Sequence, residues 1–583
     1  KLDRRQILPE KALPNSEELI IQGQELRQDI LVGFCPFLTE NNVQSEYEYK
    51  KKIIEQGRVT LHAQIGYRSF DKTLSAFIEI YDQLNMAGYE IDRYGICLDW
   101  SMGYPSKIRS NMPQGTGLIL DRPEDFSVLT ESVPVAPHFG DFMIGTPAAV
   151  ENTVAALQAG ATSIGNLGQY FTFRMPRWSD DIGTTAETLK ALALCAAQPV
   201  EILVHSNLDD GFAALFCDIS CSIGAVLIEK YIVEELIGGY VAHCYGHTFS
   251  DPLTRLAFQR ALTQVTETPG SMIYGNTTIY GTHEIENYAN LGSYLLVDIV
   301  GQLTLPTGHA LNPVPVTEAL HIPETQEIIN AHRYANQLIQ RAEEFKYLFD
   351  FNVIDRCAKK LVEGGQLFKK RMIKGLEEAG VDIKNPFELL LSIRRIGARK
   401  LEELFGPGEQ SESEIRGRIP IVQATTLNVL EKQSEEILAN LDKSTVMKIE
   451  NAGFIAISTC TDVHEYGKLL VEEVLKRVGV TVIDAGVSVD PDVVIENAKN
   501  TSANFITIST YSGVALSYLK DLYEEMRQAS MELPVFIGGK LTQIPALSDS
   551  STPIDVSDQL EALGAVVCLQ VEDMLQYLRE MTG

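Results

Sequence analysis

The 583-residue chain contains no apolar run of about 18 residues, the shortest stretch that serves as a membrane-crossing helix. It opens with no signal-peptide pattern. Its nine cysteines are scattered and never form a CxxC pair. That argues against a disulfide framework and a zinc knuckle, and a reducing, cytoplasmic setting is expected. Basic residues are scarce, with 49 Lys and Arg against 78 Asp and Glu for a net charge of −29. Neither nucleic acid nor an anionic membrane surface is an expected partner of such a chain. An anionic substrate would have to be met by local cations. No period suggests a solenoid. What is present is globular, at 45% hydrophobic and 22% charged residues, and too long for a single core.

The most informative stretch lies near the C-terminus. An apolar run at 453–458 reads as a buried parallel strand, and 468–478 is apolar at helical spacing. Between them stands Thr461-Asp-Val-His-Glu-Tyr-Gly467, an Asp-x-His-x-x-Gly pattern on a loop at the carboxyl end of a strand. Open α/β sheets bind ligands there. Further strands are expected at 480–486, at 505–509 leading into Thr510-Tyr-Ser-Gly513, at 534–537 ending in Gly538-Gly539, and at 565–569. Strand and helix alternate throughout, with small residues at most strand ends.

This segment, 451–583, resembles the flavodoxin-like (Rossmann-type) cobalamin-binding domain of corrinoid enzymes. The resemblance implies that His464 ligates cobalt from below in place of the nucleotide base. It implies that Asp462 bonds the other ring nitrogen and so fixes tautomer and basicity. Gly467, Ser509, Ser512, Gly513, Gly538 and Gly539 are the expected cofactor-binding positions around the nucleotide tail, glycines serving where a Cβ would block the approach.

Ahead of it, 1–57 reads as a polar helical arm, with Ser45 to Glu55 an amphipathic helix on the outside of the molecule or in a dimer contact. From 58 to 322 short apolar strands recur, each followed by a polar or glycine-rich loop and a helix. The strands are expected near 59–63, 94–98, 133–136, 161–164, 200–204, 239–242, 270–273 and 294–303. Eight such units over about 250 residues are the size of a (β/α)8 TIM barrel. Five histidines, His138, His205, His243, His247 and His309, are expected just after strands, at the mouth where such barrels place their chemistry. A zinc site from three of them fits by ligand type but lacks a carboxylate or cysteine at characteristic spacing. Residues 323–450 read as a helical linker region with an exposed glycine-, serine- and acid-rich loop at 406–414.

A barrel with a cobalamin domain resembles the glutamate mutase group of carbon-skeleton mutases, here fused in one chain. Ile144-Gly-Thr-Pro-Ala148 and Gly160-Ala-Thr-Ser163 carry that likeness in the barrel. It implies adenosylcobalamin, a radical isomerisation of a small dicarboxylate, and a homo-oligomer, a tetramer. Two positions that hold carboxylate-binding arginines in the group are Gln64 and Met143 here, and the position of its ammonium-binding carboxylate is Gly165. The departures point to the branch that interconverts 2-methyleneglutarate and 3-methylitaconate, whose substrate has no amino group. Bidentate arginine is the preferred carboxylate grip, so Arg68 and Arg174 are the expected carboxylate ligands, ahead of Arg109 and Arg177. Tyr67, Tyr170, Gln169 and Asn166 are expected to bond substrate, and Glu318 the adenosyl ribose. The competing readings are a glutamate-mutase-like enzyme, a corrinoid methyltransferase, a cobalamin sensor, and a pyridoxal-dependent aminomutase whose lysine would be Lys540.

Overall fold

The computed structural model describes residues 2–582 except 116, 214–215, 250, 413, 462–464, 512 and 544–553. The chain divides into two compact units, one of residues 1–171 and 179–425, the other of 172–178 and 426–583.

The first unit holds eight strands: β1 Thr60–Ile65, β2 Arg93–Ile96, β3 Ala136–His138, β4 Ser163–Gly165, β5 Leu203–Asn207, β6 Tyr240–Cys244, β7 Met272–Ile273 and β8 Ala310–Leu311. A helix follows each. All pairings are parallel, in the orders β3-β2-β1-β8-β7 and β4-β5-β6. Parallel bridges Phe139 to Ile164 and Tyr245 to Ile273 link β3 to β4 and β6 to β7. Parallel neighbours need crossover connections, and the helices supply them while covering the outer faces.

The eighth strand corrects the sequence reading. Residues 294–303 lie within the helix Glu284–Thr304. Its buried positions begin at helical spacing, Asn287, Leu291, Tyr294 and Leu295, and become continuous over 297–302, where the helix is covered on nearly every side. A short apolar run alone does not distinguish a buried helix from a strand.

The inner face of the strands is polar. In β1 the alternation places Thr60, His62 and Gln64 on one side. The His62 and His138 rings lie 6.3 Å apart, and those of His138 and His205 4.5 Å. Arg93 is the hub: its Nη2 donates to Ser163 Oγ at 2.8 Å and Ser271 Oγ at 3.1 Å, and its Nε pairs with Glu46 at 2.8 Å. Arg93 Nη1 also donates to His62 Nδ1 at 3.4 Å, so His62 Nε2–H donates to Gln64 Oε1 at 2.9 Å. Burial, then the Arg93 charge, holds His62 neutral.

Glu46 belongs to the helix Glu46–Gln56, expected to lie outside or in a dimer contact. The structure instead buries Glu46, Tyr49, Lys50 and Ile53. Lys50 Nζ donates to the carbonyls of Ser271 at 2.9 Å and Gly308 at 2.7 Å. The helix therefore plugs the amino-terminal side of the strands. Burial pushes the Lys50 amine down to about 8. A depressed folded-state value means this group favours the fold above its ordinary value near 10.5 and loses that contribution as pH falls through about 8. Thermal melts of the wild type should therefore gain on those of Lys50→Met between pH 8 and 10. Parallel pH profiles would show that Lys50 is not the group responsible.

In the second unit, β9 Ile455–Cys460, β10 Thr481–Val487, β11 Phe505–Thr510, β12 Val535–Gly539 and β15 Val566–Cys568 form one parallel sheet, beside a short antiparallel pair, β13 Thr542–Gln543 and β14 Ile554–Asp555. The sheet order is β10-β9-β11-β12-β15, the doubly wound order whose switch point falls between β9 and β11. Helices pack on both faces, over clusters centred on Ile457, Ile506 and Leu519 on one side and Val474, Phe505 and Leu575 on the other.

Candidate functional site

In the first unit the polar side chains gather beyond the carboxyl ends of the strands. Asp141 follows β3 and Asp210 follows β5. Gln169 Oε1 accepts from Phe142 N at 2.9 Å, and its Nε2 donates to Asp141 Oδ1 at 3.4 Å. Asn166 Oδ1 accepts from the backbones of Gly168 and Asn207, and its Nδ2 donates to Asp210 Oδ2 at 2.8 Å. Burial, then the neighbouring charge of Asp210, pushes the Asp141 carboxyl up to about 7. Cys97 is pushed up to about 12 by burial, then by Asp141, while Gln64 hydrogen-bonds it. The Tyr274 hydroxyl is held protonated by burial, then by Glu318, Cys97, Asp141 and Asp210. Gln64, Cys97, Asp141, Asn166, Gln169, Asp210, Tyr274 and Glu318 are thus linked as neighbours by hydrogen bonds or by charge.

Of the expected substrate residues, Asn166 and Gln169 stand at this place, beside Glu318, which was expected to bond the adenosyl ribose. Tyr67 does not present its hydroxyl there: it donates to Pro323 O at 2.9 Å. Tyr170 is buried, with its hydroxyl 2.8 Å from Thr185 Oγ1 and its ring under Arg394. Arg68 is half-buried just beyond β1. Arg174 belongs to the segment 172–178, which clusters with the second unit, so the structure does not group it with Arg68. Arg177, in the same segment, pairs with Asp521 at 3.1 Å. Arg109 is buried against the carbonyls of Met102, Tyr104 and Leu120.

The histidines are also placed differently. His138, His205 and His243 lie within strands, and His309 precedes β8. His243 bonds Glu229 on the outer side at 2.9 Å, whereas His205 bonds Ser271 on the inner side at 2.6 Å. No group of three metal-binding side chains forms among the described residues.

In the second unit a cavity of about 120 Å³ opens at the carboxyl ends of β9, β11 and β12. It is lined by Ser458, Gly467, Ser509, Gly538, Gly539 and Gln570 among others. A Cβ on Gly467 would stand 2.7 Å from Ser509 Oγ. Gly539 has φ +96°, and a Cβ there would lie 2.3 Å from Thr510 O. The Ser458 hydroxyl faces this crevice buried and without a hydrogen-bond partner among the described residues. Asp462, His464 and Ser512 lie outside the described residues. Gly513 is described, at φ +73°, but does not line the cavity.

Residues 453–563 match the family described as B12 binding domain. Among solved structures the chain is similar to a cobalamin-binding protein from Desulfitobacterium hafniense DCB-2, at 17% identity and a TM-score of 0.19, over 23% of this chain and 60% of that one. The matched segment therefore spans less than two thirds of that protein.

With the B12 domain match, cobalamin is the cofactor class the chain carries. The crevice fits it: the walls approach closely, glycine leaves room, and an orphaned hydroxyl awaits a polar partner. Gly467, Ser509, Gly538 and Gly539, expected from sequence, line it together, and Ser458 and Gln570 are additions. Ser458 gave no signal beyond being a serine inside an apolar strand. No helix among the described residues is long and apolar enough to cross a membrane.

Proposed function

We propose that the chain is an adenosylcobalamin-dependent carbon-skeleton mutase whose eight parallel strands make a closed (β/α)8 barrel around the substrate. The observation that carries this reading is the glycine-lined crevice at the switch point of the matched B12 domain, in a chain that also gathers polar side chains at the ends of eight parallel strands. The ring of pairings, completed by the two bridges, supports closure. Adenosylcobalamin, when bound, supplies a carbon radical able to remove hydrogen from an unactivated carbon. The protein's task is then to orient the substrate and keep water and competing hydrogens away. Asn166 and Gln169, locked by their own hydrogen bonds, suit that task better than mobile side chains do. In this reading His464 is the cobalt ligand and Asp462 its orienting partner.

The substrate carried by the resemblance is 2-methyleneglutarate, rearranged to 3-methylitaconate. Incubation with adenosylcobalamin and this compound, followed by proton NMR, is the first test. Product would establish class and substrate. Methyl transfer to or from the cofactor without deoxyadenosine would replace the mutase by a methyltransferase. A second reading, a substrate bearing an ammonium group, is favoured by the acidic side chains Asp141, Asp210 and Glu318.

His464→Gly is expected to remove the spectral signature of histidine-ligated cobalamin and to weaken cofactor binding about tenfold or more. An unchanged spectrum in that variant would exclude His464 as ligand.

A further inference from the structure

We infer that Asn312, just beyond β8, is a further substrate-binding residue of the proposed mutase, its side-chain N–H donating to a carboxylate oxygen of the diacid. This rests on reading the strand ends of the first unit as the substrate site.

The geometry begins with the pairing of β8. Asn312 continues the ladder by donating its backbone N–H to Ile273 O at 3.0 Å, so it stands beside Tyr274. Ala310 pairs with Thr60, and side chains alternate across a strand, so Asn312 shares the inner face with Thr60 and His62. Leu311, on the other face, packs with Leu61, Ile273 and Leu295 of the covering helix Glu284–Thr304. β8 lies between β1 and β7 and is hydrogen-bonded to both. The backbone that carries Asn312 is therefore held by a sheet rather than by a loop, which suits a donor that must stand in one place.

The chemistry follows from what the side chain lacks. Asn312 is 2% exposed, yet its Nδ2 has no hydrogen-bond partner among the described residues. A buried donor without an acceptor destabilises the fold. Folding alone thus disfavours asparagine here, where a leucine of similar size would fill the same place. A ligand oxygen satisfies the donor. The charges of Glu318, Asp141 and Asp210 all reach the Tyr274 hydroxyl, so an anion entering here needs a donor at short range, which Asn312 supplies. Two strands lie between β8 and either β3 or β5, the strands that lead to Asp141 and Asp210. A carboxylate seated on Asn312 is accordingly on the side of the strand ring away from those two.

The test is isothermal titration of the full-length protein, loaded with cobalamin, using 2-methyleneglutarate and L-glutamate, beside thermal melts. Asn312→Leu is expected to weaken the diacid about tenfold or more while the melting temperature stays level or rises, because leucine removes an unpaired buried donor. A residue with a purely structural role would lower the melting temperature and leave the affinity alone. Asn312→Ala, which also lacks the donor, gives the same reading of affinity should leucine not be accommodated. Unchanged affinity for every bound diacid in both variants overturns the proposal. So does a loss confined to adenosylcobalamin, titrated by absorbance into the apo protein, since the acceptor would then belong to the cofactor. If L-glutamate binds the wild type and 2-methyleneglutarate does not, the named substrate fails while Asn312 is still read out on glutamate. Binding of neither overturns both, and the cobalamin spectrum of the same sample reports separately whether the B12 domain is functional.

Discussion

Gly467→Leu is expected to lower cobalamin affinity about a hundredfold while leaving the melting temperature unchanged or slightly higher. Gly467 lies in the first turn of the helix Tyr466–Arg477 and lines the crevice. Glycine within a helix costs roughly 0.5–1 kcal/mol relative to a good helix former, so leucine suits the helix itself better. Its side chain has one place to go, toward Ser509 and into the cavity of about 120 Å³. Filling a close-fitting site commonly costs about 1–3 kcal/mol, equivalent to about ten- to hundredfold in affinity. The upper end is expected because the opposing walls are strand ends, which cannot retreat as a loop can. Absorbance titration of the apo protein with adenosylcobalamin measures the affinity, and circular dichroism melts report folding. Undiminished binding would mean that the cofactor does not enter between Gly467 and Ser509. Gly539 is a poorer probe: with φ +96° and Thr510 O at 2.3 Å, any side chain there strains the strand end and confounds stability with binding.

The second unit was far more legible in sequence than the first, for a physical reason. Strands covered on both faces must be apolar throughout, so 455–460, 505–510 and 535–539 stand out as runs between polar loops. Glycines at strand ends then mark where a ligand approaches. The strands of the first unit invert the usual expectation, because their inner face carries His62, Gln64, Arg93, His138 and His205. In short strands such residues look like the beginning of a loop, which is why the histidines were expected beyond the strands rather than in them. The helix Glu46–Gln56 was legible as a helix but not as a plug, since its buried Glu46 and Lys50 look like solvated charges until Arg93 and the carbonyls of Ser271 and Gly308 are placed around them. Asp141 and Asp210 were missed on similar grounds. A lone loop aspartate is usually solvated, and only the pairing of β3, β4 and β5 brings these two to one place. The available signal was positional: each lies three residues after a strand's last residue. Arginine chemistry pointed instead to Arg68, half-buried just beyond β1, and to Arg174, which clusters with the second unit.

Asp298→Ala is expected to destabilise the first unit by about 3–5 kcal/mol. Arg255 and Asp298 form a doubly bonded pair, Nε to Oδ1 and Nη2 to Oδ2, each at 2.6 Å, with both side chains almost wholly buried. Arg255 also donates to Gly246 O and Tyr274 O, each at 2.6 Å. The pair therefore ties the helix Glu284–Thr304, which carries Asp298, to the loops that follow β6 and β7. Removing the carboxylate leaves a guanidinium buried with carbonyl partners and only the non-bonded charge of Asp209 to balance it, a larger loss than removing both ions together. The double variant Arg255→Met with Asp298→Leu should accordingly recover part of the stability lost in Asp298→Ala, because well-packed apolar groups replace a buried pair at little cost. Urea unfolding followed by circular dichroism gives both midpoints. A double variant less stable than Asp298→Ala would show that the carbonyl contacts of Arg255, rather than its charge balance, govern this region. The consequence reaches the site through Tyr274, whose carbonyl Arg255 holds and whose hydroxyl feels the charges of Glu318, Asp141 and Asp210. Loosening that carbonyl should weaken ligand binding at the strand ends even at temperatures where the variant remains folded, while cobalamin affinity, set by the second unit, stays as it was.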